Sequence, residues 1–207
     1  PYTLVFRQAT ACSPETNRAL SDAAKAESMW PWAHAGVGYL IYSLGWNQRG
    51  RQPRWREVVI LAFATQLPDL IDKPFAWTVP LLPSGRSLAH SLLVAVPLVA
   101  CALVYARHRG RVELGAVFGI GYLSHLLADV IETAVTGIIA NTTFLLWPVL
   151  PLPETATEES FLTVLATLQP TPWNGFELVL TALGLFLWVN DGLPGVDSLR
   201  NAVAQRE

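Results

Sequence analysis

Five apolar segments dominate the chain, at residues 30–46, 56–73, 87–106, 112–133 and 176–190, and the connections between them are too short to hold an independent soluble module. About 20 apolar residues carry a helix across the hydrocarbon of a bilayer, where the backbone must satisfy its own hydrogen bonds. The first and last segments are short for a full span. The pattern predicts an all-α, multi-pass transmembrane bundle of about five membrane helices, with one re-entrant or interfacial segment between the fourth and fifth. Charged residues make up 14% of the chain, against about a quarter in a soluble domain. Membrane lipid is therefore the expected surroundings, and a net charge of −2 argues against any nucleic-acid partner.

Residues 1–28 are polar and patternless, without the basic-then-apolar order of a signal peptide. They read as an extension that is disordered or not native, ahead of a single membrane-embedded domain at 29–207. Arginines set the expected orientation. Arg49, Arg51, Arg54 and Arg56 crowd the first connection, and Arg107, Arg109 and Arg111 the third. Both connections are expected on the cytoplasmic side of a prokaryotic plasma membrane. The acidic stretch with Glu154, Glu158 and Glu159 is expected outside.

The apolar segments are interrupted by carboxylates and imidazoles. "LPDLIDKP" places Asp69 and Asp72 at the end of the second segment, His34 lies in the first turns of the first, His90 opens the third, and "SHLLAD" puts His125 and Asp129 near the end of the fourth. All six fall at the end expected to face away from the cytoplasm. An ionisable group inside a bilayer costs on the order of 2.5–3.5 kcal/mol near the centre, so these groups are expected to face one another. Spacings of i,i+4 and i,i+3 place each pair on one helical face. Imidazole with carboxylate is a ligand set for zinc, and also for iron or manganese. Taken singly, each residue has a plainer role: an interhelical hydrogen bond for a histidine, or an interfacial ion pair with Lys73 or Arg86 for an aspartate.

In "SGRSLAHSLL", Arg86 stands four residues before His90 at what reads as the amino end of the third helix, a setting for an anion. A serine N-cap with a snorkelling arginine is the simpler alternative.

His34, "LPDLID", "GRSLAHSLL", "GYLSHLLADVIET" and "FLLWP", taken in order, resemble the YdjM-like family of membrane-bound metal-dependent hydrolases over about residues 29–150. That family's third motif commonly reads His-Arg-Gly-x-Thr-His-Ser, whereas the corresponding stretch here, Gly85 to Ser91, lacks the first histidine and carries Ala89 in place of the threonine. The resemblance implies a His/Asp metal site and hydrolase chemistry. The expected assignment is a divalent metal, zinc first, on His34, Asp69, His90, His125 and Asp129. Asp72 is expected as an orienter or general base and Arg86 as an anion holder. The substrate is expected to be a phosphoester or lipid-like molecule attacked by metal-activated water. The competing expectation is a non-enzymatic metal-binding or ion-translocating protein.

The orientation is testable in intact cells. In a background lacking Cys12 and Cys101, Gly50→Cys is expected to escape a membrane-impermeant thiol reagent and Thr157→Cys to react; the reverse pattern overturns the outward-facing site.

Overall fold

The computed structural model describes residues 29–47, 50–135, 139–152 and 172–196. The expected extension at 1–28 and most of the expected external loop after Leu152 lie outside the described residues. Five α-helices follow one another: α1 (Pro31–Asn47), α2 (Trp55–Trp77), α3 (Leu92–His108), α4 (Val112–Val135) and α5 (Pro172–Asn190). A 3-10 helix, Ile139–Leu146, lies between α4 and α5, and no strand occurs among the described residues.

α4 is the central helix, packing against α1, α2, α3 and the 3-10 helix, while α5 docks on α1. Polarity is inverted relative to a soluble bundle. His34, Asp72, His90, His125, Asp129 and Glu177 are buried, whereas Phe63, Val96, Val104, Leu178 and Phe186 are exposed. Apolar outer faces around an ionisable interior suit a hydrocarbon surrounding. Two helices, α4 and α5, are long and apolar enough to cross a membrane, and α3 is a shorter apolar helix. The all-α architecture therefore stands, while five full crossings do not follow from these lengths.

Two helix boundaries differ from expectation. α2 does not end at Asp72 but runs to Trp77, through Pro68 and Pro74. Each proline removes one donor from the helix ladder without breaking the helix, because tertiary contacts on both sides hold it. α3 starts at Leu92 rather than near residue 87, with Ser91 as its N-cap accepting from Leu93 N–H. Arg86 and His90 consequently lie in the loop before α3 and not in its first turn. The cause is a tertiary contact: the N–H groups of Ser87, Ala89 and His90 turn toward Asp72 instead of entering a helix.

Close helix approach depends on missing side chains. A Cβ at Gly184 of α5 would lie 2.7 Å from Gly36 Cα of α1, and one at Gly121 of α4 would lie 2.9 Å from the Leu61 carbonyl of α2. Small residues at such crossings let backbones touch where no hydrophobic drive between helices exists in lipid. Gly184→Leu is expected to lower stability by about 1–3 kcal/mol through overpacking. Gly45→Ala, which meets nothing within 4 Å, is expected to leave it unchanged or slightly raised. Thermal melting in detergent checks both; equal melting temperatures for wild type and Gly184→Leu would remove the close-packing account.

Candidate metal centre

Three elements and one loop bring the site together: α1 supplies His34, α2 supplies Asp69 and Asp72, α4 supplies His125 and Asp129, and the loop before α3 supplies His90. Each histidine is held by its Nδ1. In His34, Nδ1–H donates to the Trp30 carbonyl at 3.1 Å. In His125, it donates to the Thr65 carbonyl at 2.6 Å. In His90, it donates to Asp72 Oδ2 at 2.8 Å. An oxygen acceptor behind each ring takes the Nδ1–H and turns Nε2 inward toward the other rings and the carboxylates, the usual support for a ligating histidine. Pro68 contributes here: it cannot donate to the Ala64 carbonyl, which loosens the turn from which Thr65 offers its own carbonyl to His125.

What the rings face are further acceptors. His90 Nε2 and His125 Nε2 are 3.1 Å apart. His90 Nε2 lies 3.5 Å from Asp69 Oδ1 and 3.4 Å from Asp129 Oδ2. His125 Nε2 lies 3.7 Å and 3.5 Å from the same two oxygens. Neutral imidazole nitrogens and carboxylate oxygens at these separations repel unless a proton or a cation sits among them. Ligands bound at about 2.0–2.1 Å to one tetrahedral ion stand about 3.3 Å from one another, so the spacing fits adjacent ligands. Asp129 Oδ2 is buried and has no hydrogen-bond donor among the described residues. A buried carboxylate oxygen left in that state is costly, and a proton or a cation held among these groups would offset the cost.

His125 is the shared member of two triads with ligand spacing, His34–His125–Asp129 and Asp69–His90–His125. His34 Nε2 reaches Asp129 Oδ1 at 3.3 Å, and its ring stacks on that of His125 with centroids 4.0 Å apart. The expected residues thus converge. Asp72 sits one layer back, both of its oxygens taken by the N–H groups of Ser87, Ala89 and His90 and by His90 Nδ1–H. Arg86 lies against carboxylates, 3.1 Å from Asp129 Oδ1 and 2.7 Å from Glu132 Oε2.

The ion pair that the sequence offered between Lys73 and an aspartate forms, and Glu132 and Glu177, not singled out in the sequence, complete the arrangement. Lys73 Nζ holds Asp69 Oδ2 at 2.6 Å, so each inward-facing aspartate has its outer oxygen on a cation. Glu132 accepts from Met29 N–H at 3.1 Å and Glu177 from Trp30 N–H at 2.8 Å, pinning the start of α1 and with it the carbonyl that orients His34. Glu132 follows Asp129 by three residues on the face of His125, a spacing that could have flagged it. Glu177 had no such signal. Around the centre the carboxylates of Asp69, Asp72, Asp129 and Glu132 outnumber the cations Lys73 and Arg86, an imbalance that suits a bound cation.

Residues 29–191 match the family model described as YdjM inner membrane protein. No curated protein and no solved structure matches the chain.

Metal content of detergent-purified protein tests the centre. His125→Ala and Asp129→Ala are each expected to reduce bound divalent metal by more than about tenfold, since losing even a supporting partner costs about 10–100-fold. His108→Ala, at the carboxyl end of α3, is expected to change nothing. Equal metal content in all three variants would remove the centre.

Proposed function

The chain belongs to the YdjM inner membrane protein family, and from that premise we propose that it is a membrane-bound, metal-dependent hydrolase acting on a phosphoester or lipid-like substrate. One observation carries the reading: Asp129 Oδ2, buried and without a donor among the described residues, faces the Nε2 atoms of His90 and His125 at 3.4 and 3.5 Å. Asp69, His90, His125 and Asp129 would hold the ion, with His34 on the second oxygen of Asp129. A divalent ion there, zinc by its fit to imidazole and carboxylate, supplies Lewis acidity toward an ester and brings the pKa of a water it binds near neutrality.

The chain's own residues have separable tasks. Asp72 positions His90 through the ring Nδ1–H and through the loop backbone, a task that occupies both carboxylate oxygens. Lys73 and Arg86 hold the inner carboxylates in a single orientation, and as the cations nearest the centre they are the groups an anionic ester would meet. The site is closed on most sides: His90 and His125 are 0% exposed, whereas Asp69 is 9% exposed. Substrate approach past Asp69 and Lys73 is the consequence.

Ion translocation would need a polar route onward from the centre. Toward the other end the buried Leu61 and Val117 pack with the rings of Tyr39 and Tyr42, whose hydroxyls turn to Asp191 and Glu57, a layer with few polar groups that supports the enzyme reading.

Reconstituted protein decides between them. Wild type is expected to cleave members of a phosphoester panel, to stop on chelation and to resume when zinc is restored. Asp72→Asn is expected to lower metal affinity or turnover about 10–100-fold. Metal or proton flux in proteoliposomes, without cleavage of any ester, would replace the hydrolase with a transporter.

A further inference from the structure

About 18 Å along α2 from Asp69, at a rise of about 1.5 Å per residue, the opposite end of the bundle carries a polar groove that hydrolysis does not use. It has a volume of about 500 Å³ and is lined by Arg54, Trp55, Arg56 and Glu57 from the start of α2 and by Gly110, Arg111 and Glu113 from the turn into α4. A cavity of this size matches a small ligand or a headgroup.

The charges in the groove are unequal. Glu57 is buried, with Oε2 accepting from Tyr42 O–H at 2.8 Å and Arg54 N–H at 3.0 Å, and Oε1 from Arg51 at 3.4 Å. Arg51 also stands 3.6 Å from Glu113. One guanidinium thereby serves both acids. Among the described residues, Arg54, Arg56 and Arg111 have no carboxylate within ion-pair distance, so their three guanidinium groups face the groove without a counter-charge. Gly110, with φ +66°, turns the chain so that Arg111 reaches the groove opposite Arg54 and Arg56. Trp55 is exposed and carries the Arg56 guanidinium at 5.4 Å from its ring centroid, an amphipathic edge suited to the junction of headgroup and acyl chain. α2 and α4 both begin here, which adds the positive ends of two helix dipoles.

We propose that this groove binds the phosphate of an anionic phospholipid headgroup in the leaflet at this end of the bundle, independently of the metal centre. Arg54, Arg56 and Arg111 grip the phosphate, and Trp55 packs against the glycerol and upper acyl region. The binding is positional. Arg107, in the last turn of α3, and Arg109, just after it, are exposed beside Arg111, yet they do not line the groove. General attraction of loop arginines to an anionic surface would treat them like Arg111.

The test compares two charge-matched double variants in nanodiscs of phosphatidylcholine with or without phosphatidylglycerol, with retained lipid read by native mass spectrometry. Wild type is expected to retain phosphatidylglycerol in preference to phosphatidylcholine. Arg54→Gln with Arg111→Gln is expected to reduce that retention by about tenfold or more, the loss of charge-assisted hydrogen bonds. Arg107→Gln with Arg109→Gln is expected to leave retention within about twofold, the change expected for unspecific charge alone. Should a variant fail to fold, wild type alone suffices: phosphatidylglycerol is expected to shield Arg54, Arg56 and Arg111, but not Arg107, from phenylglyoxal. Equal losses in the two double variants, no lipid preference, or uniform shielding overturns the proposal. Displacement of the lipid by inorganic phosphate alone reassigns the groove to a soluble anion and overturns the headgroup.

Discussion

The site depends on one buried carboxylate. Asp72 is fully buried and takes four donors from a single loop: the N–H groups of Ser87, Ala89 and His90, and the His90 ring. A carboxylate removed from water needs this many donors, and a loop turning back toward a helix needs somewhere to send its N–H groups. Each requirement meets the other. The loop is thereby kept out of the helix that its sequence would otherwise join, α3 is delayed until the Ser91 cap, and His90 is placed with its Nε2 against that of His125. Without Asp72 the three N–H groups would favour helix and His90 would swing with it.

The same logic of matched burial runs outward from the centre. Asp69 and Asp129 each turn one oxygen inward and give the other to a cation, Lys73 or Arg86. Arg86 is shared with Glu132, Glu132 takes the Met29 N–H, and Glu177 on α5 takes the Trp30 N–H, whose residue in turn holds His34. α5 touches little besides α1, yet it reaches the site through this chain of hydrogen bonds. Such a network works only when every member is satisfied, since a low dielectric strengthens each bond and raises the cost of each omission. Among the described residues of this network Asp129 Oδ2 is the exception, and it lies between the Nε2 atoms of His90 and His125.

The two ends of the bundle solve opposite problems. At one end carboxylates outnumber cations, an arrangement that could hold a metal ion. At the other, arginines outnumber the acids that Arg51 already serves. Between the two, Leu61, Val117 and the rings of Tyr39 and Tyr42 form an apolar layer that keeps these charges apart. A bilayer accommodates such a molecule because its interface offers anionic headgroups and water while its interior offers neither.

The sequence by itself determined the helical class, the five apolar segments and the residues that gather at the centre. Long apolar runs leave the backbone no choice but helix, and His34, Asp69, His90, His125 and Asp129 have few other reasons to stand in them. Only the tertiary structure decided the roles. Periodicity could not show that Asp72 would draw the loop before α3 out of the helix, because that contact joins residues fifteen or more apart in the chain. It could not show that Arg86 would lie on Asp129 and Glu132, nor that Glu177 would cap α1 from the far helix, 147 residues from Trp30. Helix formation is a local balance written in neighbouring residues, whereas the pairing of buried charges is settled only when distant segments meet in a medium that leaves no charge unpaired.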